Sequence, residues 1–213
     1  MSRISIDDHQ LPFDTHNEYD VHIGPHSIHT LLTFCPHKVN EWFTKIQSTP
    51  PSPPLLVGLD IEWKPNRSKN QDNPAATLQL CISQNCLIFQ LLYCSHFPKQ
   101  LLDFLANKEL TFVGVGIEHD VEKLVEDYGF AFGGKLVELG ALASEKRGDG
   151  SLKKAGLKGL AKEVLGLEVE KPKRVACSRW DQEWLYPDQV KYACVDAFLS
   201  FEIGRVLGAA AHG

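Results

Sequence analysis

The chain has no apolar run approaching the roughly 18 residues that a bilayer-spanning helix requires. Its opening, Met1-Ser2-Arg3-Ile4-Ser5-Ile6-Asp7-Asp8, is too polar for a secretory signal. These absences lead us to expect a soluble, intracellular protein with no membrane partner. Cys-x-x-Cys is also missing, although there are six cysteines (Cys35, Cys81, Cys86, Cys94, Cys177 and Cys194). Several fall inside apolar patterns, which points to free, mostly buried thiols in a reducing compartment and away from a structural zinc site. The nine histidines are scattered, and nothing near His26-x-x-His29 completes a metal site. No internal repeat is visible.

The chain is 213 residues long with 43% hydrophobic content, enough for one substantial core. We read it as a polar N-terminal segment (1–18), loosely held, then one domain (19–208) and a short tail (209–213). The net charge of -5 is unevenly spread, because residues 146–179 carry ten Lys/Arg against four Asp/Glu. Such a basic stretch suits a phosphate-binding rim or a solvated helix face. Lys171-Pro172-Lys173-Arg174 within it has the character of a nuclear import signal, so nucleus and cytoplasm are both expected locations.

Tyr19 to Ile23 alternates like an edge strand, and Val39 to Ile46 carries a helical pattern. The proline-rich 48–54 is a stiff break. Strands are expected at 55–62, 75–83 and 86–91, paired antiparallel through a tight turn at Ser83-Gln84-Asn85. A helix at 97–106, a strand at 111–114 and a helix at 117–128 follow. The remainder reads as helical at 136–146, 152–165 and from Pro187 to about Leu207, where Pro187 suits a first turn. This order gives an α/β fold, a mixed sheet flanked by helices.

The most informative segment is Leu59-Asp60-Ile61-Glu62-Trp63. The period of a strand places Asp60 and Glu62 on one face, roughly 6.6 Å apart along the backbone, opposite Leu59 and Ile61. Two acids at the end of a buried strand need a cation. Asp120-Val121-Glu122 has the same spacing but falls in a helical pattern, where residues two apart diverge by roughly 200°, so it cannot chelate as a pair. Asp120 alone is either a first-turn acid complementing the helix dipole or a further metal ligand. Tyr192 and Asp196, four apart in a helix, share a face, and taken alone they also suit a core margin. Together, four carboxylates and a tyrosine at fitting positions suggest an all-oxygen site for two Mg²⁺ or Mn²⁺ ions, since like charges are seldom buried together without neutralisation.

The chain resembles the DEDDy group of 3′–5′ exonucleases, and within it the Werner-syndrome-type exonuclease domain, from about Tyr19 to Leu207. Its motifs are Leu59 to Trp63, Val115-Gly116-Ile117-Glu118-His119-Asp120, and Tyr192-Ala193-Cys194-Val195-Asp196-Ala197. Ala76 to Cys81 and the stretch from Gly159-Leu160-Ala161 to Ser178-Arg179-Trp180 are similar too, and the overall pattern is close to stand-alone plant members. A sister group has histidine five residues before the last aspartate; Lys191 occupies that position here, so the tyrosine branch applies. His119 stands where the family often has a smaller residue, which bears on substrate preference.

The resemblance implies a ribonuclease-H-like fold and hydrolysis of nucleic acid, DNA favoured, from a free 3′ end to nucleoside 5′-monophosphates. It implies Asp60, Glu62, Asp120 and Asp196 as ligands of two Mg²⁺ or Mn²⁺ ions, with Tyr192 orienting the attacking water. Ile61, Trp63, Leu78 and His119 are expected beside the terminal nucleotide, although strand parity favours a core position for Trp63. Lys153, Lys154 and Arg179 are expected along the backbone. A helicase or repair partner in trans and a homo-oligomer are both compatible with such a module. The competing readings are an RNA-trimming enzyme of the RNase D kind, a catalytically silent nucleic-acid-binding module, and an RNase-H-like endonuclease for which Tyr192 would have no purpose.

Overall fold

The computed structural model describes residues 3–47, 56–68 and 70–211. Leu55 and the proline-rich break at 48–54 lie outside the described residues. The centre is β4 (Leu56–Trp63), followed by β5 (Ala75–Ile82) and β6 (Asn85–Gln90) as an antiparallel meander. Its β5–β6 turn places Ser83 in the left-handed region, at φ +56°. On the other side of β4, β7 (Thr111–Gly114) and then β8 (Lys135–Glu138) add in parallel. The mixed sheet and helices expected from the sequence order are therefore present.

Three strands precede this unit: β1 (Ile4–Asp8), β2 (His16–Ile23) and β3 (His26–Thr33). They form an antiparallel meander whose β3 joins β6 in parallel, completing the order β1-β2-β3-β6-β5-β4-β7-β8. This corrects two expectations. Part of 1–18 is sheet, and Tyr19 to Ile23 belongs to a strand inside the sheet, with β1 at the edge. The polar residues that suggested a loose segment pair with one another across the strands: His9 Nε2 lies 2.9 Å from Asp20 Oδ2, and His22 Nε2 lies 3.0 Å from Asp7 Oδ2. The alternate residues Tyr19, Val21 and Ile23 are buried, as strand parity requires.

Helices cover both faces. Val39, Trp42 and Phe43 of α1 (Pro36–Gln47), Leu101 and Leu105 of α2 (Lys99–Leu105), and Ile117, Val121 and Leu124 of α3 (Ile117–Tyr128) form one core with Val57, Leu59, Ile61, Leu78 and Leu80. The opposite core brings Leu56 and Val113 against α4 (Leu139–Arg147), α5 (Leu157–Leu160), α6 (Lys173–Ala176) and α7 (Pro187–Val206). The expected helix at 136–146 starts three residues later, because Lys135 to Glu138 extends the sheet as β8. The one expected at 152–165 is broken into a 3₁₀ turn (Gly150–Lys154), α5 and a π turn (Ala161–Leu165), with Gly156 at the interruption.

The 20-residue α7 begins at Pro187, with Gln189 Oε1 accepting from the Tyr186 N–H at 3.0 Å. Most of α7 is buried. Among the described residues, no helix is long and apolar enough to cross a membrane.

Candidate active site

The site is set by how closely α7 lies on β4. Gly58, on the same strand face as Asp60 and Glu62, touches the helix backbone: a Cβ there would stand 2.1 Å from the Ala197 carbonyl oxygen and 2.6 Å from Phe201 N. Only a residue without a side chain permits that approach. It lays Asp196, the neighbour of Ala197, over the carboxyl end of β4. Ligand oxygens of Asp60, Glu62 and Asp196 all lie within 4.8 Å of one another.

Asp120 arrives by a second route. Strand β7 ends at Gly114, and Gly116 adopts φ +78° as the N-cap of α3, turning the chain so that Asp120 in the first helical turn is buried. It stands outside the three-carboxylate cluster, yet its charge contributes to raising the pKa of Asp60.

Burial first, then Asp196 and Asp120, pushes Asp60 well above the usual carboxylate range. Burial, Asp60 and Asp196 push Glu62 up to about 10. Burial and then Glu138 push Asp120 up to about 7. Burial raises Asp196 as well, with Lys171 and then Tyr192 working in the opposite direction. Such a cluster is strained by its own charge and by desolvation, and a cation relieves both. Asp60 Oδ2 is buried without a hydrogen-bond partner, a free lone pair in a site of clustered oxygens. Hard divalent cations with oxygen ligation fit this donor set.

Tyr192 lies one turn before Asp196. Burial, then the Asp196 charge, raises its hydroxyl above the ordinary phenol range, so it stays protonated near neutrality. Lys171 was legible in the sequence only as one member of a basic run. In the structure it turns inward, with Nζ 2.6 Å from Asp196 Oδ2 and 5.1 Å from the centre of the Tyr192 ring. Glu138 had no signal as part of this neighbourhood. Its carboxylate accepts from the N–H groups of Gly116 (2.7 Å), Ile117 (3.3 Å) and Gly140 (3.3 Å), capping the starts of α3 and α4.

The expected substrate contacts divide. Ile61 is 3% and Leu78 0% exposed, both in the core beneath α3, so neither offers a face to a base. This corrects that expectation, and strand parity is the reason for Ile61. Trp63, just past a register shift after Glu62, is partly buried against the same core. Its ring meets His119 edge-on at 6.1 Å, with Lys123 Nζ 5.6 Å away. His119 is exposed, as are Lys153 and Lys154 on the 3₁₀ turn. Arg179 is paired with Asp181 at 2.9 Å, and Asp181 also binds Lys64 Nζ at 3.0 Å, one residue beyond Trp63.

A family model described as 3′–5′ exonuclease matches residues 33–209. The bifunctional 3′–5′ exonuclease/ATP-dependent helicase WRN of Mus musculus is 38% identical over 157 residues, covering 72% of this chain and 11% of that protein. A 3′–5′ exonuclease of Arabidopsis thaliana is 36% identical over 154 residues, covering 71% of this chain and 52% of its own length. The chain thus spans about half or less of these relatives. Among solved structures, the EXD2 exonuclease domain superposes with a TM-score of 0.50 at 28% identity, covering 85% of this chain and 90% of that one. The Nibbler EXO domain of Aedes aegypti superposes with a TM-score of 0.66 at 16% identity, covering 84% and 87%, which establishes the shared ribonuclease-H-like fold. With a match across most of its length, the chain belongs to the 3′–5′ exonuclease domain family, whose members are phosphodiester hydrolases.

Proposed function

We propose that this protein is a two-metal-ion 3′–5′ exonuclease that shortens DNA from its 3′ end and releases nucleoside 5′-monophosphates. The observation that carries the reading is the convergence of Asp60, Glu62 and Asp196 oxygens within 4.8 Å, with an unpartnered buried oxygen on Asp60. The family match and the likeness to the Mus musculus and Arabidopsis thaliana exonucleases support it.

Asp60, Glu62 and Asp196 would hold one Mg²⁺ or Mn²⁺, and Asp60 with Asp120 a second. When bound, such ions lower the pKa of a water and neutralise charge developing on the phosphoryl and departing 3′ oxygens. Tyr192 keeps its proton and uses its hydroxyl to orient the attacking water by hydrogen bonding, a positioning role. Trp63 and His119 are the groups assigned to the terminal base. Lys153, Lys154 and Arg179 follow the phosphates, giving binding that weakens with salt and is largely blind to sequence.

A 5′-labelled oligonucleotide, as DNA and as RNA, incubated with Mn²⁺, Mg²⁺ or EDTA tests this proposal. The expected result is a metal-dependent ladder of single-nucleotide steps on DNA. Preferential shortening of RNA would move the substrate to that polymer, single internal cuts would indicate an endonuclease, and an intact strand in the presence of metal would refute nuclease function.

A further inference from the structure

Lys171 is a cation already inside the site. Its ammonium is 2.6 Å from Asp196 Oδ2 and packs over the Tyr192 ring, with 27% of the side chain exposed. It offsets negative charge on Asp60 and Glu62 as well as on Asp196. On the two-ion reading above, on which this inference rests, four ionised carboxylates carry four negative charges and two divalent ions cancel them. A fifth positive charge would then be left uncompensated where charge is poorly screened. Without ions, the same ammonium is the counter-charge the cluster needs.

The amine also has room to move. Residues 166–172 form neither helix nor strand, and lysine has a long, flexible stem. A cavity of about 400 Å³ adjoins the ion pair, lined by Arg3, Glu170, Lys171, Arg174, Asp188 and Lys191 among others. Of its acids, Asp188 already holds Arg174 at 2.9 Å and Lys191 at 3.1 Å, and Glu170 offers the displaced ammonium a new partner.

We propose that Lys171 is a displaceable counter-ion, bound to Asp196 in the metal-free protein and leaving that carboxylate when divalent ions enter. The experiment uses the whole protein without nucleic acid. Mass spectrometry follows the initial rate of acetylation of each lysine in EDTA and in saturating Mn²⁺, with exposed Lys158 as the internal reference. Lys171 should react roughly tenfold faster with Mn²⁺, reflecting the loss of a charge-assisted hydrogen bond, while Lys158 stays constant. If calorimetry shows Mn²⁺ bound and the Lys171 rate does not change, the inference is overturned. Absence of Mn²⁺ binding would instead overturn the two-ion reading, and this inference with it. As a second measurement, Lys171→Met should tighten Mn²⁺ binding on the order of tenfold; unchanged or weaker binding counts against displacement.

Discussion

Replacing Gly58 with alanine adds one carbon where the backbone of α7 already lies. That Cβ would be 2.1 Å from the Ala197 carbonyl oxygen, about 1.3 Å short of ordinary contact at 3.4 Å, and the obstacle is backbone, which cannot swing aside. Strand and helix must therefore part, carrying Asp196 away from Asp60. Overpacking of this kind costs about 1–3 kcal/mol, a fall in Tm of roughly 2–12 °C for a chain of this size. Displacing a catalytic group by about 1 Å costs on the order of 100-fold in rate. Calorimetry gives the first quantity, and release of a labelled terminal nucleotide in saturating Mn²⁺, at a temperature where the variant is folded, gives the second. Gly204→Ala is the control: its added Cβ meets the Val113 side chain at 3.0 Å, eight residues beyond Asp196, and the loss of rate should be much smaller. If Gly58→Ala matched the wild type in both Tm and rate, the close approach of α7 would not be what assembles the site.

Three further outcomes follow from the same geometry. Asp60→Asn should abolish metal-dependent digestion while raising the Tm of the metal-free protein by about 2 °C or more, since it removes a buried acid that must either ionise beside Asp196 or take up a proton on folding; an active variant, or one less stable in EDTA, contradicts the assignment. Tyr192→Phe should bind Mn²⁺ as the wild type does and turn over about 100-fold more slowly; calorimetry with single-turnover kinetics checks both, and an unchanged rate dismisses the hydroxyl. In EDTA, stability should fall as pH rises from 5 to 8. A carboxyl whose folded pKa is raised stabilises fully below its unfolded value and loses that contribution as pH climbs through the folded one. For Asp120 this window runs from 3.8 to about 7, and for Glu62 from 4.5 to about 10. His16, whose pKa is lowered by burial, works in the other direction below the ordinary histidine value of 6.5. A Tm that rose across this range would show that the site acids are not the dominant titrating groups.

Much of the site was legible because each part belongs to a short local pattern. Strand parity put Asp60 and Glu62 on one face, the Gly114-Val115-Gly116 transition marked the start of α3 before Asp120, and Pro187 marked α7, which carries Tyr192 and Asp196 one turn apart. Lys171 was not legible in this role, because its direction depends on the path of the irregular segment 166–172 across the molecule. Glu138 escaped notice because β8 is only four residues long and merges into α4. Leu78 looked available because its strand motif says nothing about the helix above it. The first strands were obscured by residues that satisfy one another across the sheet, His9 with Asp20 and His22 with Asp7.

The meander β1–β3 matters for anyone who cuts this protein to its family limits. The matched region begins at residue 33, the last residue of β3. A fragment trimmed there would leave β6 with an open row of backbone donors and acceptors where β3 had been, and would strip Val21, Ile23 and Ile28 from the core they share with Phe198. Bare sheet margins of this kind invite pairing between molecules. Such a fragment should aggregate although every proposed metal ligand is still in it, and its inactivity would say nothing about the chemistry of the intact enzyme.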